Sequence, residues 1–391
     1  MYKRQLGRLF HNVHLTRDQE YVLEQLVALV AEVKPAAVLI AGDLYDRAVP
    51  PIEAVDLLDH VLTEIVDGLG VPVIAIAGNH DSAVRVGFAA SLLRARGLHL
   101  VGALPPTAAP IILRDEYGPV HVHPLPYADA AEARYAYADE SLHDQQAVSA
   151  AGVARALAAT PPGERRVAVA HAFVAGALES ESERPLSVGG ATQVPAAIYS
   201  GFDYVALGHL HRPQRCGRET VRYAGSLLKY SFAEHDHDKS VCVVEIGAPA
   251  GAAGDARTAG RARVAVETVA LTPRHDVRRL EGTLAEVIER GARDRRRDDY
   301  VVAALLDRGA LLDPIGQLRA VYPNTLTIER PLYEVGGPGG ERRPRPGSAG
   351  DLELFEAFFD YATGEPLTAA QRNALAALID RLERRRREAP S

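Results

Sequence analysis

The chain has 391 residues, of which 47% are apolar and 24% charged, with a formal net charge of −7. This is the composition of a soluble globular protein with room for two or three domains. Two cysteines, Cys216 and Cys242, are too few for a disulfide framework, and no run is apolar enough for a leader or a span, so no membrane role and a cytoplasmic location are expected.

In chain order, Thr16 and Gln19 suggest a capping box, and Tyr21, Val22, Leu26, Val27 and Val30 follow at helical spacing. The run 36–41 reads as a strand buried on both faces and ends at Gly42-Asp43. A helix over 51–66 and a strand over 71–77 lead to Gly78-Asn79. The same alternation continues with a helix over 144–159, a strand delivering His171 and a strand delivering Gly208-His209. Strands over 221–224, 241–246 and 264–271 make the second half richer in β-structure, with the Ala/Gly-rich stretch 247–260 as a loose hairpin connection. The fold class is therefore α/β, and a sandwich of mixed sheets flanked by helices fits better than one doubly wound sheet. This core spans 1–272.

Residues 273–335 read as a small α/β module, with a helix over 278–290, a strand over 300–306, a helix over 314–320 and a strand over 325–328. The stretch 336–350 is dominated by Gly, Pro, Arg and Glu and reads as a flexible linker. Over 351–391, Leu352, Leu354, Phe355, Phe358, Phe359 and Tyr361 crowd one helix, while Leu375, Leu378, Ile379 and Leu382 stripe another. A helix pair cannot bury that surface alone, which points to a docking role. Arginines 293, 295–297 and 384–387 form basic clusters that can meet phosphate despite the acidic whole.

The chemistry lies in four polar motifs, each after an apolar run: Gly42-Asp43-Leu44-Tyr45-Asp46, Gly78-Asn79-His80-Asp81, His171 and Gly208-His209-Leu210-His211. Two divalent ions about 3.5 to 4 Å apart need a bridging anion, and Asp43 supplies one. Asn79 offers a neutral oxygen, and His171, His209 and His211 offer imidazoles suited to Mn, Fe or Zn. Asp43, Asn79, His171 and His209 complete one metal site, and His211 with Asp43 begins a second. His80 is the candidate for protonating a leaving oxygen, and Asp46 and Asp81 for orienting loops and ligands. The reaction that such a site supports is hydrolysis at phosphorus, in line, with the ions stabilising the oxygens.

These motifs, with Arg47, resemble those of the calcineurin-like metallophosphoesterases, and more closely those of the SbcD-type nuclease subunits of bacterial SbcCD complexes. The likeness extends through Leu6-Gly7-Arg8, Asp18-Gln19, Gly97-Leu98-His99, Ala224-Gly225-Ser226 with Lys239, and Glu356, Phe358 and Phe359 to Gly364-Glu365-Pro366-Leu367. It implies a manganese-dependent exonuclease on DNA ends, with endonuclease action on single strands or hairpins, in DNA repair and recombination. It further implies two Mn2+ ions per site, a coiled-coil ATPase partner of the SbcC type held by the C-terminal helices, DNA contact by the 273–335 module, and a homodimer through helices over 56–66 and 84–94.

The resemblance has one departure. Members of the family open with a strand ending in Asp-x-His before Leu-Gly-Arg, whereas Met1-Tyr2-Lys3-Arg4-Gln5 precede Leu6 here. A gap in the sheet, one well-held ion at most and weak catalysis are the expectations for the chain as it stands. Two other readings share the motifs: a small-molecule phosphodiesterase or nucleotide phosphatase, which needs neither linker nor aromatic tail, and an architectural subunit with a degenerate site.

Overall fold

Apolar runs that end in polar loops become the central strands of the structure, a computed structural model that describes residues 6–105, 107–180, 183, 192–249, 262–331, 351–363 and 365–388. The chain divides into two units, Met1–Asp276 and Val277–Ser391.

The first unit begins with a short antiparallel pair, β1 (Leu9–Phe10) and β2 (Val13–His14), and then α1 (Thr16–Val33). Strands β3 (Val38–Ile40), β4 (Val73–Ile76) and β5 (Leu98–Val101) form a parallel three-stranded sheet. Between them lie α2 (Ile52–Thr63), which runs into a π-turn at Glu64–Gly68, and the single-turn helices α3 (Ala83–Val86) and α4 (Ala90–Leu93). Next come β6 (Ile111–Asp115), β7 (Gly118–Leu125), α5 (Ala130–Tyr137), α6 (Gln145–Ala158) and β8 (Arg165–His171). The unit closes with β9 (Phe173–Val174), β10 (Gln193–Val194), β11 (Tyr204–Gly208), β12 (Gln214–Cys216), β13 (Arg218–Tyr223), β14 (Ser240–Pro249) and β15 (Ala262–Ala270). Six of these make a mixed sheet in the order β12-β13-β11-β8-β7-β6, and β14 pairs antiparallel with β15.

Alternation along β8 explains the layering. Val167 and Val169 pack toward Ile74, Ile76 and Cys242, while Ala168 and Ala170 pack toward Val153 and Ala156 of α6. Successive side chains of a strand point to opposite faces, so a strand apolar at every position is buried on both. The result is the mixed-sheet α/β sandwich with flanking helices that the sequence indicates. An apolar cleft of about 380 Å³ lies between the edges of β3 and β14, lined by Val38, Leu39, Val241 and Val244, with Val122 and Tyr204 also facing it. Beside β3, Leu6 forms a parallel bridge with Tyr45.

In the second unit, β16 (Val277–Gly282), β17 (Tyr300–Leu305) and β18 (Thr325–Glu329) form a parallel sheet with β17 in the centre. Helices α7 (Leu284–Gly291) and α8 (Pro314–Val321) join Val301, Ala303 and Leu305 in one core through Leu284, Val287 and Leu318. Two further helices, α9 (Asp351–Thr363) and α10 (Ala369–Glu388), carry the aromatic tail. Phe355 and Phe358 are exposed on α9. The expected linker 336–350 lies outside the described residues, as does the 250–260 part of the expected hairpin connection.

Two local expectations are corrected. The helix expected over 278–290 is half strand: β16 holds 277–282, and the helix starts only after Thr283, whose hydroxyl accepts from Glu286 N while the Glu286 carboxylate takes Thr283 N. An edge strand tolerates the charged run Arg278-Arg279, whose composition alone looks helical. Thr16 and Gln19 form no capping box, since Leu15 is the N-cap with no side-chain bond. Gln19 is buried and instead accepts from Gly7 N at 3.3 Å and donates to the Tyr230 hydroxyl at 3.1 Å.

Candidate metal centre

The four motifs meet at the carboxyl ends of parallel strands, where α/β sheets place ligands. Asp43 follows β3, Asn79 follows β4, His171 ends β8, and His209 follows β11, whose Gly208 is in register with His171. The backbone there is unusual. Asp43 has φ 51° and His209 φ 106°, in the region that side chains other than glycine rarely adopt. Gly42, at φ 90°, is required for a second reason: a Cβ there would collide with the His171 ring, and a Cβ at Gly78 would collide with the Asp43 carboxylate.

Asp43, His171 and His209 are all buried, and their ligand atoms lie within 4.8 Å of one another. Asn79 Oδ1 completes the cluster, 2.9 Å from His171 Nε2 and 3.3 Å from His209 Nδ1. The tautomer of His171 can be deduced. Its Nδ1 lies 2.9 Å from the carbonyl oxygen of Ala41, which can only accept, so Nδ1 carries a hydrogen and in the neutral ring Nε2 presents its lone pair. That lone pair faces Asn79 Oδ1 and also Asp43 Oδ1 at 3.5 Å. Several lone pairs, one of them on an anion, thus converge on a single point. This donor set fits a divalent cation of the Mn, Fe or Zn type.

The neighbouring residues brace this set. Asp81 accepts from Leu44 N at 3.0 Å, Tyr45 N at 3.0 Å and Gly78 N at 2.9 Å, tying the β3 and β4 loops together. Burial, with the charge of Asp43, pushes the Asp81 carboxyl up to about 7 against the pull of those three donors. His80 donates its backbone N–H to Asp43 Oδ1 at 3.1 Å. Its Nδ1 lies 2.8 Å from the carbonyl oxygen of Asp46, and its Nε2 is 3.9 Å from Asp43 Oδ2. The ring is therefore packed beside the cluster, 3% exposed. The Asp46 carboxylate pairs with Arg8 at 2.8 Å, so it is the Asp46 backbone that holds His80.

His211 is not in the group of Asp43, His171 and His209 whose ligand atoms all lie within 4.8 Å of one another. Its Nδ1 is 2.9 Å from Glu234 Oε1, its backbone N–H donates to Glu183 Oε1 at 2.6 Å, and its carbonyl accepts from Lys239 Nζ at 2.9 Å. Burial alone would raise the Glu234 carboxyl, but Lys239 and His211 beside it hold it well below the usual range. Sequence reading does not find Glu183, Glu234 or Tyr230, gives no role to Arg8 beyond likeness, and assigns Gln19 to a capping box that does not form. The contacts Glu234–His211, Glu183–His211, Arg8–Asp46 and Gln19–Tyr230 span 23 to 211 positions, and only the tertiary fold makes them. Cys216 and Cys242 are both buried thiols. Among the described residues no helix is long and apolar enough to cross a membrane.

Comparison with known proteins agrees with this geometry. Residues 273–363 match the SbcD_C family, described as the type 5 capsule protein repressor C-terminal domain. A curated relative, the SbcD nuclease subunit of SbcCD from Staphylococcus saprophyticus subsp. saprophyticus, is 26% identical over 377 residues, covering 96% of each chain. Residues 11–213 match the calcineurin-like phosphoesterase family. Because that match spans just over half of the chain and contains every one of the strand-end ligands, the protein belongs to the calcineurin-like phosphoesterases, a family of metal-dependent hydrolases, and is itself a phosphodiester hydrolase.

Proposed function

We propose that this chain is the nuclease subunit of an SbcCD-type complex and hydrolyses phosphodiester bonds of DNA with manganese. The observation that carries the reading is the convergence of Asp43, Asn79, His171 and His209 on one point, in a chain whose similarity to an SbcCD nuclease subunit runs nearly end to end. Asp43, Asn79, His171 and His209 would hold one ion, and His211 with Asp43 would contribute to a second. Bound there, divalent ions supply charge stabilisation to the phosphoryl oxygens and lower the pKa of water.

The chain's own residues do the rest. Asp43 sits at the centre with both oxygens in reach of neighbours, Oδ1 of His171 and His80 N, Oδ2 of His80 Nε2. The Asp46 carbonyl takes the hydrogen of His80 Nδ1, which leaves Nε2 as the atom that gives or receives a proton at the leaving oxygen. Arg8 fixes Asp46, and Asp81 fixes both loops, so these groups set geometry before substrate arrives.

Exonuclease action on DNA ends and endonuclease action on single strands or hairpins are the activities proposed for this site, in DNA repair and recombination. The module expected over 273–335, with Arg293, Arg295, Arg296 and Arg297 exposed, is proposed as the DNA-contacting part. The exposed helices α9 and α10 are proposed to hold a coiled-coil ATPase. A homodimer is proposed through the helices expected over 56–66 and 84–94, where Val84, Phe88 and Leu92 are exposed.

A test compares labelled duplex, hairpin and single-stranded DNA with bis(nitrophenyl) phosphate as substrates in Mn2+. Preferential cleavage of DNA supports the nuclease reading. Turnover of the small diester alone would assign a small-molecule phosphodiesterase, and no turnover of either by metal-loaded protein would assign an architectural subunit.

A further inference from the structure

Among the described residues, a buried ionic group outside the donor cluster surrounds His211. Glu234 and His211 have fully buried side chains, and Lys239 is 4% exposed at its side chain. Lys239 Nζ reaches Glu234 Oε2 at 2.5 Å, Ser226 Oγ at 2.8 Å and the His211 carbonyl at 2.9 Å. The other Glu234 oxygen, Oε1, faces His211 Nδ1 at 2.9 Å. A buried ion pair adds little net stability over apolar side chains of equal volume. Apolar side chains cannot, however, orient an imidazole.

We propose that the Glu234–Lys239 pair is a positioning device for His211, fixing the ring with its hydrogen on Nδ1 and its lone pair on Nε2, so that Nε2 is the atom offered to a divalent cation. The inference rests on the reading of His211 as a contributor to the metal centre. Each half of the pair has a distinct part. A carboxylate only accepts, so Glu234 Oε1 requires a hydrogen on Nδ1. An ammonium only donates, so Lys239 holds the second carboxylate oxygen and keeps the first turned to the ring. Glu183 on the His211 N–H and Lys239 on its carbonyl clamp the backbone, and Glu234 on Nδ1 sets both the orientation of the ring and its tautomer. An outer carboxylate on a ligand histidine characteristically acts in this way.

The sharp variant is Glu234→Gln. Lys239 donates only, so it takes the Gln carbonyl oxygen, and the amide NH₂ then faces Nδ1 and drives the hydrogen to Nε2. Nitrogen NMR of the metal-free, histidine-labelled protein reads this directly: the wild type is expected in the Nδ1–H form and Glu234→Gln in the Nε2–H form. Manganese titration, followed by electron paramagnetic resonance of the free ion, supplies the second readout. Glu234→Gln is expected to weaken the His211-dependent ion by about 10- to 100-fold and to leave the ion held by Asp43, His171 and His209 unchanged. In a His211→Ala background the same substitution is expected to have no further effect on metal binding. The charge-neutral double variant Glu234→Gln/Lys239→Met leaves no unpaired buried ammonium, so it keeps the test open if the single variant folds poorly, and it is expected to lose the wild-type Nδ1–H preference.

An unchanged tautomer in both variants, or a loss of affinity that adds to that of His211→Ala, would overturn the positioning role. If His211→Ala itself leaves manganese binding unchanged, the assignment of His211 to the metal centre falls first, and the inference falls with it.

Discussion

His171 Nε2 lies 2.9 Å from Asn79 Oδ1, although the two residues are 92 positions apart in the chain. With the His171 hydrogen committed to the Ala41 carbonyl, the contact brings a nitrogen lone pair up to an oxygen lone pair, the arrangement of two ligands on one cation. His171→Ala is therefore expected to weaken binding of the first manganese ion by more than about 100-fold, above the range typical for outer groups that only orient a ligand. Calorimetric titration of metal-free protein checks this, and an unchanged isotherm would remove His171 from the site.

His80 is bound to the cluster through its backbone, and its ring is held by the Asp46 carbonyl. Replacing it with Ala keeps the backbone bond to Asp43. Turnover is expected to fall by about 10² to 10⁴, the usual cost of a missing general acid, with metal affinity retained. Parallel measurement of kcat and manganese binding separates the roles, because a collapse of binding would make the ring a ligand or a prop of the loop.

On α9, Phe355 is 41% and Phe358 60% exposed, and Leu378 of α10 is 49% exposed. Aromatic side chains left in water on a helix pair are the composition of a binding surface. The double variant Phe355→Ala/Phe358→Ala is expected to weaken assembly with the coiled-coil ATPase by at least about 2 kcal/mol, the threshold of a hot spot, while nuclease activity of the isolated chain stays the same. Light scattering of the mixed subunits gives the readout, and undiminished assembly would locate the contact elsewhere.

A pH effect on stability follows from His123, which is not among the metal-centre residues. Burial pushes its imidazole down from 6.5 to about 4, helped by His121 and Arg166, and its Nε2 lies 2.7 Å from Thr160 Oγ1. Between those two pH values the unfolded chain binds the proton and the folded chain does not, so folding stability is complete above 6.5 and declines as the pH falls toward 4. His123→Gln keeps a hydrogen-bonding group there but cannot titrate. Urea denaturation at pH 7 and pH 5 is expected to show a smaller pH-dependent loss in the variant than in the wild type; equal losses would clear His123 of this part.

The α/β class and the site are legible in the sequence because both rest on local patterns. Runs such as Val167-Ala168-Val169-Ala170 are apolar at every position, which only a strand covered on both faces explains, and each is followed by a polar residue where such sheets put ligands. Asp43, Asn79, His171 and His209 stand out in this way. The bracing groups do not. Arg8 reaches Asp46, Gln19 reaches Tyr230 and Glu234 reaches His211 across long stretches of chain, and nothing in the local sequence marks a carboxylate or an amide that acts only after folding. The strand at 277–282 is hidden for a related reason: its arginines and glutamate have helical propensity, and pairing with Tyr300–Leu305 overrides it.

The most direct measurement is cleavage of an end-labelled DNA duplex in Mn2+ by the wild-type chain and by Asp43→Asn, each with its bound manganese counted and its fold verified by circular dichroism. Asp43 is fully buried and is the only anion among the four convergent donors, so its neutralisation should release the metal and abolish cleavage together. Manganese-dependent cleavage by the wild type that disappears in Asp43→Asn, and on addition of a chelator, is the expected result. Cleavage that survives either treatment, or wild-type protein with manganese bound that leaves DNA intact in the presence and absence of its ATPase, would contradict it.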